Sequence, residues 1–263
     1  MVESGAYSLQ LLPLLEQMQP ITLDQMHSIR LMNRTDTKFV TNLQCFLQIL
    51  ERIRAAYYVQ EIDRLRVADY QTIYWDLPDH RFYAMHHNGK YPRQKVRVRT
   101  YCDSDISFLE VKQKNNRRRT NKVRMMVPAP DRLIEAGGDS FLKEHLRLRL
   151  SDLQPVVMNR FHRVTLVNKE KTERLTVDLD LRFRNLETGE ETGMDNLVII
   201  ELKRDGYVAS PILSVLRDLR VRPLGFSKYC VGSVLTNGTL KKNRFKRRIH
   251  DIRKRMQTNN YSL

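Results

Sequence analysis

Two neighbouring stretches of this chain alternate apolar and cationic residues with the two-residue period of a β-strand. The first is KVRVRTY, residues 95–101, and the second is FLEVKQK, residues 108–114. In a half-buried strand, one set of side chains faces the core and the other faces water. Here the polar set is almost entirely cationic, so two such strands side by side repel each other unless an anion binds between them. The pattern predicts a sheet with one strongly cationic face.

The charge of the whole chain points to the same kind of partner. The 263 residues include 46 Lys and Arg against 30 Asp and Glu, which gives a formal net charge of +16. Such an excess favours a polyanionic partner: nucleic acid, anionic lipid, or a phosphorylated small molecule or polymer. With 41% apolar and 29% charged residues, the composition is typical of a globular chain that can bury a large core.

The cysteines and the apolar runs indicate the compartment. Cys45, Cys102 and Cys230 are scattered without CxxC spacing, so the sequence predicts neither a disulfide framework nor a zinc site and fits a reducing environment. No apolar run approaches the roughly 18 residues of a membrane span, and the N-terminus has no basic region followed by an apolar one. We therefore expect a cytoplasmic protein.

The periodicity predicts one domain of helices and strands over residues 1–263, with a core at about 30–230. Residues 1–32 are expected to form short helices broken at Pro13 and Pro20, and residues 240–263 a basic helix. Further helices are predicted at about 41–57, 129–150, 211–219 and after Tyr229. Strands are predicted at 33–40, 61–67, 70–76, 83–88, 95–101, 107–114, 122–127, 155–168, 174–184 and 197–203, with a hairpin turn at Asn88-Gly89.

Most of these strands are charged on one face and apolar on the other. In the strand at 174–184, for example, the alternation predicts Asp178, Asp180 and Arg182 on one face. Closing eight such strands into an antiparallel barrel would turn the charged faces inward and leave the apolar faces to covering helices. The predicted fold class is therefore α+β, an eight-stranded antiparallel β-barrel with a charged lumen that has room for side chains or one modest ligand.

A lumen lined by cations must hold water, an anion or both, because each buried ion without a partner costs several kcal/mol. Phosphate chains suit such a lumen, since Arg binds phosphate oxygens through a two-pronged fork and Lys binds them as a point charge. The carboxylates among the cations would suit a hard divalent cation that bridges them to phosphate oxygens.

A series of short motifs occurs in this chain in a fixed order: RTDTKFV (34–40), KVRVRTY (95–101), FLEVKQK (108–114), NKVR (121–124), RFHR (160–163), TVDLDLRF (176–183), IIELK (199–203) and GFSKY (225–229). Together they resemble the VTC (vacuolar transporter chaperone) catalytic domain, the polyphosphate polymerase branch of the triphosphate tunnel metalloenzymes, also called the CYTH-like superfamily. Each motif is weak alone, and their ordered combination over roughly residues 30–230 is specific.

The resemblance implies an antiparallel tunnel that holds the phosphates of a nucleoside triphosphate, with Mn²⁺ or Mg²⁺ at the terminal phosphate. Glu201 matches the metal-ligand position. The matching phosphate-binding and catalytic positions are Lys38, Arg97, Arg99, Lys112, Lys122, Arg163 and Lys228. Further phosphate-binding candidates are Arg34, Lys114, Arg124, Arg160, Arg182 and Lys203, and further metal candidates are Asp36, Glu110, Asp178 and Asp180.

Two positions depart from the family pattern. The wider superfamily opens with Glu-x-Glu-x-Lys, where this chain has Arg34, Asp36 and Lys38. The tyrosine of a Tyr-x-Arg pattern is replaced by Phe161. The resemblance therefore supports the cations of the site more strongly than a metal role for Asp36.

Simpler structural interpretations also remain open from the residues alone. Arg97 and Arg99 would also suit a solvated sheet face, although less well than a binding site. Glu201 would suit a partner for Lys203, and Asp178 and Asp180 would suit partners for Arg182. The arginines at 117–119 and the C-terminal basic residues are expected to be solvated surface that steers polyanions at most.

Three functions remain open from the sequence. The first is polyphosphate synthesis from ATP, in which the growing chain attacks. The second is a tripolyphosphatase or nucleoside triphosphatase, in which water attacks. The third is a polyanion-binding module without turnover. Aromatic residues do not alternate with basic ones as stacking platforms would require, so we expect ATP and polyphosphate or tripolyphosphate as partners and no nucleic acid. Any membrane coupling would use a separate membrane subunit, and nothing indicates the oligomeric state.

Overall fold

The computed structural model describes residues 8–27, 34–117, 119–206 and 208–257. The protein is a mixed α+β structure built on a large, mainly antiparallel sheet. The helices are α1 (Ser8–Glu16), α2 (Leu23–His27), α3 (Leu43–Ile53), α4 (Arg81–Asn88), α5 (Gly138–Leu146), α6 (Pro211–Asp218), α7 (Lys228–Thr236) and α8 (Asn243–Gln257). The strands are β1 (Pro20–Ile21), β2 (Arg34–Asn42), β3 (Tyr57–Gln60), β4 (Ala68–Asp76), β5 (Arg93–Tyr101), β6 (Ile106–Lys114), β7 (Thr120–Val127), β8 (Gln154–Asn168), β9 (Glu173–Asn185), β10 (Glu191–Met194) and β11 (Leu197–Asp205).

Eight strands pair in the order β2-β11-β9-β8-β4-β5-β6-β7. In addition, β10 pairs with β9, the short β3 pairs with β8, and β1 pairs with β3. Between the described residues of β2 and β7 there is no pairing, so the sheet stays open. The prediction of a closed barrel is therefore not met, although the eight antiparallel strands are present. Both sides of the opening carry cations, Lys38 on β2 and Lys122 and Arg124 on β7, and their repulsion opposes closure.

The open sheet is nevertheless strongly curled. Lys38 of β2 donates a hydrogen bond to the carbonyl oxygen of Phe226 (3.0 Å), and Lys95 of β5 donates one to the hydroxyl of the next residue, Ser227 (2.9 Å). In a flat sheet these two strands would be separated by five strand spacings, roughly 24 Å, whereas consecutive Cα atoms lie only about 3.8 Å apart. The sheet therefore has a concave face that forms a groove.

The convex face carries two apolar cores. One lies under α3, whose residues Phe46, Ile49, Leu50 and Ile53 recur at helical spacing and are buried. The side chain of Asn42, a residue type that favours this position, caps the helix by accepting a hydrogen bond from the Cys45 amide (2.9 Å). The other core covers β5 and β6 and includes Val96, Val98, Leu109 and Val111. Burying these faces orients the alternate, charged side chains into the groove.

Three helices fill one end of the groove. Tyr83 of α4 and Tyr229 of α7 pack with Tyr74 of β4, and Phe245 of α8 joins them. A second apolar cluster on the same side contains Phe161, Phe183 and Phe226. The charged part of the groove therefore begins where α7 begins, at Lys228.

The predicted strand at 83–88 is wrong, because these residues belong to helix α4. The buried carboxylate of Asp76 accepts hydrogen bonds from the amides of Phe82 and Tyr83 (2.9 Å each), which satisfies the free N–H groups of the first helical turn. Gly89 ends the helix in the left-handed conformation (φ 69°). The Asn88-Gly89 pair is therefore a helix terminus rather than a hairpin turn.

Other boundaries also differ from the prediction. Residues 61–67 form turns with left-handed residues at Asp63 and Arg64, and the strand precedes them as β3. The helix predicted at 129–150 shrinks to α5, since Gly137 is left-handed (φ 82°) and no helix precedes it there. Pro13 lies inside α1, and Pro20 lies in β1, so neither breaks a helix in the described part of the N-terminal region.

Candidate phosphate-binding groove

The register of the sheet places the cations of β5, β6 and β7 on the concave face. Directly paired residues of antiparallel strands point to the same face. Lys95 pairs with Lys112, which pairs with Lys122. Arg97 pairs with Glu110, which pairs with Arg124. Arg99 and Lys114 continue the same alternation, and we call these three strands the cationic wall.

A second wall is formed by β2, β11, β9 and β8. Lys38 pairs with Glu201, and Asp36 with Lys203. Arg163 pairs with Asp178, two residues along the face from Thr176, the partner of Glu201. We call this side the paired wall, because its cations and carboxylates alternate from strand to strand.

The N-terminus of α7 lies between the two walls. Ser227 caps the helix by accepting a hydrogen bond from the Cys230 amide and also accepts one from Lys95. Lys228, the first residue of the helix, forms an ion pair with Asp178. The free amides and partial positive charge of a helix N-terminus favour anions, so this end of α7 adds to the positive potential of the groove.

Three carboxylates of the groove, those of Glu110, Asp178 and Glu201, form ion pairs with cations. Glu110, fully buried, pairs with Arg97 (2.6 Å) and with Lys122. Asp178 accepts two hydrogen bonds from Arg163 (2.6 and 2.9 Å) besides its pair with Lys228.

Glu201 lies between two lysines, with Lys38 at 3.7 Å and Lys203 at 3.2 Å. The same carboxylate is within electrostatic range of Lys112 from the opposite wall. Charged residues of the two walls therefore interact with each other across the groove.

The pKa values of the groove reflect both burial and the neighbouring cations. Burial raises the pKa of Glu110, but Arg97 and Arg99 outweigh it and hold that pKa at about 2. The pKa of Glu201 is likewise about 2, since Lys38 and Lys203 outweigh the effect of burial. Burial lowers the pKa of Lys95 to about 8, helped by Lys38 and Arg97. Burial also lowers the pKa of Lys228 to about 8, even though Asp178 opposes the shift. The groove would therefore gain from an added anion.

Sequence reasoning left out several side chains of this site. Lys95 belongs to the cationic alternation but matches no phosphate-binding position of the family, and Ser227 carries no charge that would mark it. Arg99 donates to the hydroxyl of Thr72 on β4 (3.4 Å), a contact between distant residues that periodicity does not show. The serine directly before Lys228 was the available signal, because serine is a preferred helix cap.

Three predicted site residues lie on the convex face. A bulge at Asp180 (φ 48°) shifts the register between β8 and β9, so Leu179 and Leu181 enter different apolar cores. Beyond the bulge, Arg182 bridges Asp180 (3.1 Å) and Asp195 (3.2 Å). Arg160 pairs with Asp69 on the same outer face. The expectation that Asp178, Asp180 and Arg182 share one face fails because the bulge inserts one residue.

The remaining candidates lie at the ends of the groove or outside the described residues. Lys114 lies at the end of β6, 5.9 Å from the ring centre of Tyr91, and Arg124 lies over the ring of Phe108 (4.5 Å). Asp36 is exposed near the start of β2. The side chain of Arg34 falls outside the described residues.

The groove offers a metal ion only part of a coordination shell. Within the described residues, no three His, Cys, Asp or Glu side chains gather around one point. Mg²⁺ and similar hard ions are often held by one or two carboxylates together with substrate phosphates. Glu201, which is half-buried and flanked by Lys38 and Lys203, fits that kind of site.

None of the helices described here is long and apolar enough to cross a membrane.

Comparison with known proteins identifies the family. A family model described as the VTC domain matches residues 33–237, well over half of the chain. No match is found among curated proteins.

Among solved structures, a candidate adenylyl cyclase from Hippeastrum, described as having a dominant triphosphatase activity, is 12% identical with a TM-score of 0.53, over 76% of this chain and 95% of that one. Candidate adenylate cyclases from Bacillus halodurans (TM-score 0.49, 11% identity, 74% and 96% covered) and Vibrio parahaemolyticus (TM-score 0.45, 12% identity, 75% and 97% covered) also match. The chain belongs to the VTC domain family, and it shares its fold with the Hippeastrum protein.

Proposed function

We propose that this protein transfers phosphoryl groups from a nucleoside triphosphate, ATP, to a growing polyphosphate chain within the groove. The observation that carries the proposal is the convergence of cations from both walls on the N-terminus of α7, seen in the contacts of Lys38 and Lys95 with consecutive residues. A cluster of this kind needs a polyanion to balance it. Membership of the VTC domain family supports phosphate as that anion.

The roles of the side chains follow from phosphoryl-transfer chemistry. Such reactions need the attacking and leaving oxygens in line and the charge on the transferred group neutralised. Arg97, Arg99, Lys112 and Lys122 would bind phosphate oxygens from the cationic wall. Lys38, Arg163 and Lys228 would bind them from the opposite side. The chain needs no nucleophile of its own, because the attacking oxygen belongs to the phosphate acceptor.

Glu201 would hold Mn²⁺ or Mg²⁺ jointly with the substrate. Bound there, the ion would supply neutralisation of phosphate charge. Lys38 and Lys203, which flank Glu201, would then be free to bind phosphate oxygens. Lys114, Arg124 and Lys203 extend the proposed path for the polyanion towards the ends of the groove.

The test is a product assay with purified protein, ATP and Mn²⁺. The expected products are ADP and a phosphate polymer that migrates as a ladder on a gel and is degraded by an exopolyphosphatase. Release of free phosphate or pyrophosphate alone would indicate a tripolyphosphatase or nucleoside triphosphatase rather than a polymerase. Binding of ATP and polyphosphate without turnover would leave a polyanion-binding module.

Glu201→Gln separates catalysis from simple anion binding. This substitution should abolish Mn²⁺-dependent turnover while the protein still binds tripolyphosphate, because the cations remain. Glu135→Gln is the matched control, since Glu135 is a solvent-exposed carboxylate (69% exposed) whose described ion pair is with Arg132 outside the groove. Equal activity of the two variants would remove Glu201 from the mechanism.

The proposal includes three further expectations about the whole protein. We propose that residues 1–263 act as one domain, that the protein works in the cytoplasm, and that any membrane coupling of polyphosphate synthesis involves a separate subunit. Fractionation of cells and co-purification with membrane proteins would test the last two.

A further inference from the structure

A row of aromatic rings crosses the concave face from β8 to β6. Phe161 stacks on Tyr70 with ring centres 5.4 Å apart. Tyr70 lies 4.9 Å from Tyr101, and Tyr101 meets Phe108 edge to face at 5.9 Å. Four strands supply one ring each, so the row exists only in the folded sheet.

The row begins near α7, where the ammonium nitrogen of Lys228 lies 4.0 Å from the ring centre of Phe161, and its other end, at Tyr101 and Phe108, lies away from α4 and α7. Tyr101 is the last residue of β5, six residues beyond Lys95, which contacts the cap of α7. That separation is roughly 20 Å along a strand, and Arg97 and Arg99 lie between the two on the same face. Phe161 is buried, whereas Tyr70, Tyr101 and Phe108 are only partly covered.

The phosphate-binding cations reach the same rings. The guanidinium of Arg163 lies 5.0 Å from the ring centre of Tyr70, and that of Arg99 lies 5.8 Å from it. Arg124 lies 4.5 Å from the ring centre of Phe108. A row that served only as a core would be covered by apolar groups, whereas this one borders charged groups and remains partly open. Its surroundings suit a ligand that is flat and aromatic at one end and anionic at the other.

We propose that Tyr70, Tyr101 and Phe108 bind the nucleobase of the nucleoside triphosphate whose phosphates bind the cations of the groove. The proposal rests on the proposed function, because the phosphates place the base. Stacking on aromatic rings accepts every base, since each has a π face. The substrate class would therefore be nucleoside triphosphates with little base selectivity, bound with the base towards Tyr101 and the terminal phosphate towards α7.

Tyr101 is the best position to test, because the contacts of its ring are with Tyr70 and Phe108 rather than with a groove cation. Calorimetry would measure binding of two metal-free ligands, a non-hydrolysable ATP analogue and inorganic tripolyphosphate. Tyr101→Leu should weaken binding of the ATP analogue about tenfold, the range expected for loss of one base–aromatic stack. The affinity for tripolyphosphate should not change. Tyr101→Phe should restore the binding of the ATP analogue.

Tyr91→Leu is the matched control at the other end of the groove, where Tyr91 lies beside Arg93 (4.8 Å) and Lys114. It should change neither affinity. If Tyr91→Leu, and not Tyr101→Leu, selectively weakens binding of the ATP analogue, the base binds at the Tyr91 end of the groove and the proposal is overturned. The proposal would also be overturned if Tyr101→Leu lowered the affinities for both ligands equally, or lowered neither.

The same experiment distinguishes failure of the inference from failure of the proposed function. If the wild-type protein binds tripolyphosphate and the ATP analogue with equal affinity, the base makes no contact and the inference fails, while the groove still binds phosphate. If the wild-type protein binds neither ligand, both the inference and the proposed function fail.

Discussion

The two walls of the groove balance their charge in different ways. On the paired wall, Arg163 and Lys228 share Asp178, and Lys38 and Lys203 share Glu201. On the cationic wall, Glu110 is shared by Arg97 and Lys122. Lys95 and Arg99 contact hydroxyl groups, those of Ser227 and Thr72.

This difference assigns different tasks to the walls. Ion pairs fix the positions of side chains before a ligand arrives, at a desolvation cost that good geometry offsets. Lys95 and Arg99, whose described hydrogen bonds are to hydroxyl groups, keep their capacity to bind an anion, but burying their charges lowers the stability of the protein. We infer that the paired wall positions the substrate and the cationic wall supplies most of the attraction for phosphate. Substitutions on the two walls should therefore affect activity and stability in different proportions.

The largest effect is expected for Arg99→Met. Removing one donor that stabilises charge in a transition state lowers kcat by about 10²–10³-fold. Stability should be unchanged or slightly higher, because a buried cation is removed from a cluster of like charges and no carboxylate is left behind. Steady-state kinetics and thermal unfolding of the same preparation would measure both quantities.

Arg163→Met is the matched comparison on the paired wall. It should lower activity similarly but also lower the melting temperature, since Asp178 loses its two-pronged partner. If both variants lose stability equally, the distinction between the walls is wrong.

Asp178→Asn should have the next largest effect, a decrease in the free energy of unfolding. The carboxylate is buried and pairs with two cations. Removing one member of a buried ion pair costs about 3 kcal/mol because it leaves an uncompensated charge. Urea unfolding should show this loss, and saturating tripolyphosphate should recover part of it by binding the released cations. Asp195→Asn, at an exposed partner of Arg182 (74% exposed), should leave the free energy of unfolding unchanged.

Much of this arrangement could be predicted from the sequence, because alternation reports which residues share a strand face. Lys95, Arg97 and Arg99 lie on one face as predicted, and Glu110 lies among the cations. The part that could not be predicted depends on contacts between distant residues. The helix α4 exists because Asp76 satisfies its first amides, and Arg182 faces outward because one residue, Asp180, forms a bulge.

The aromatic row illustrates the same limit. The sequence shows no alternation of aromatic and basic residues, and it predicts no stacking platform. In the structure, Tyr70, Tyr101 and Phe108 come from three strands and meet in register. A pattern spread over several strands has no period along the chain, so only the pairing of the strands reveals it.

The pH dependence of phosphate binding should be the third effect in size. The pKa values of Lys95 and Lys228 are about 8, below the ordinary value of 10.5. The unfolded chain therefore binds more protons than the folded one between about pH 8 and 10.5, and the free energy of unfolding rises with pH through that window. Below pH 8 both lysines are charged, and a bound anion relieves their repulsion.

Tripolyphosphate binding should therefore weaken between pH 7 and pH 9, by about tenfold for each lysine whose pKa the anion raises. Calorimetry in buffers of different ionisation enthalpy would also detect proton uptake on binding near pH 8. Lys95→Met should make the profile shallower by about tenfold, while Lys112 and Lys228, whose pKa values are also about 8, keep the rest of the pH dependence. A profile that is flat for the wild-type protein would contradict the low pKa values.

The smallest effect is expected for Arg124→Gln, at the exposed edge of the cationic wall. Arg124 lies over the ring of Phe108 and pairs across β6 with Glu110, but it is far more exposed than Arg97. Solvent screens such a charge, so its loss should weaken tripolyphosphate binding only about two- to threefold, and the difference should vanish in high salt. A salt titration of the two proteins would measure this. A larger loss that persists in high salt would mean that Arg124 contacts phosphate directly, and the cationic wall would then bind its ligand as far as the edge strand β7.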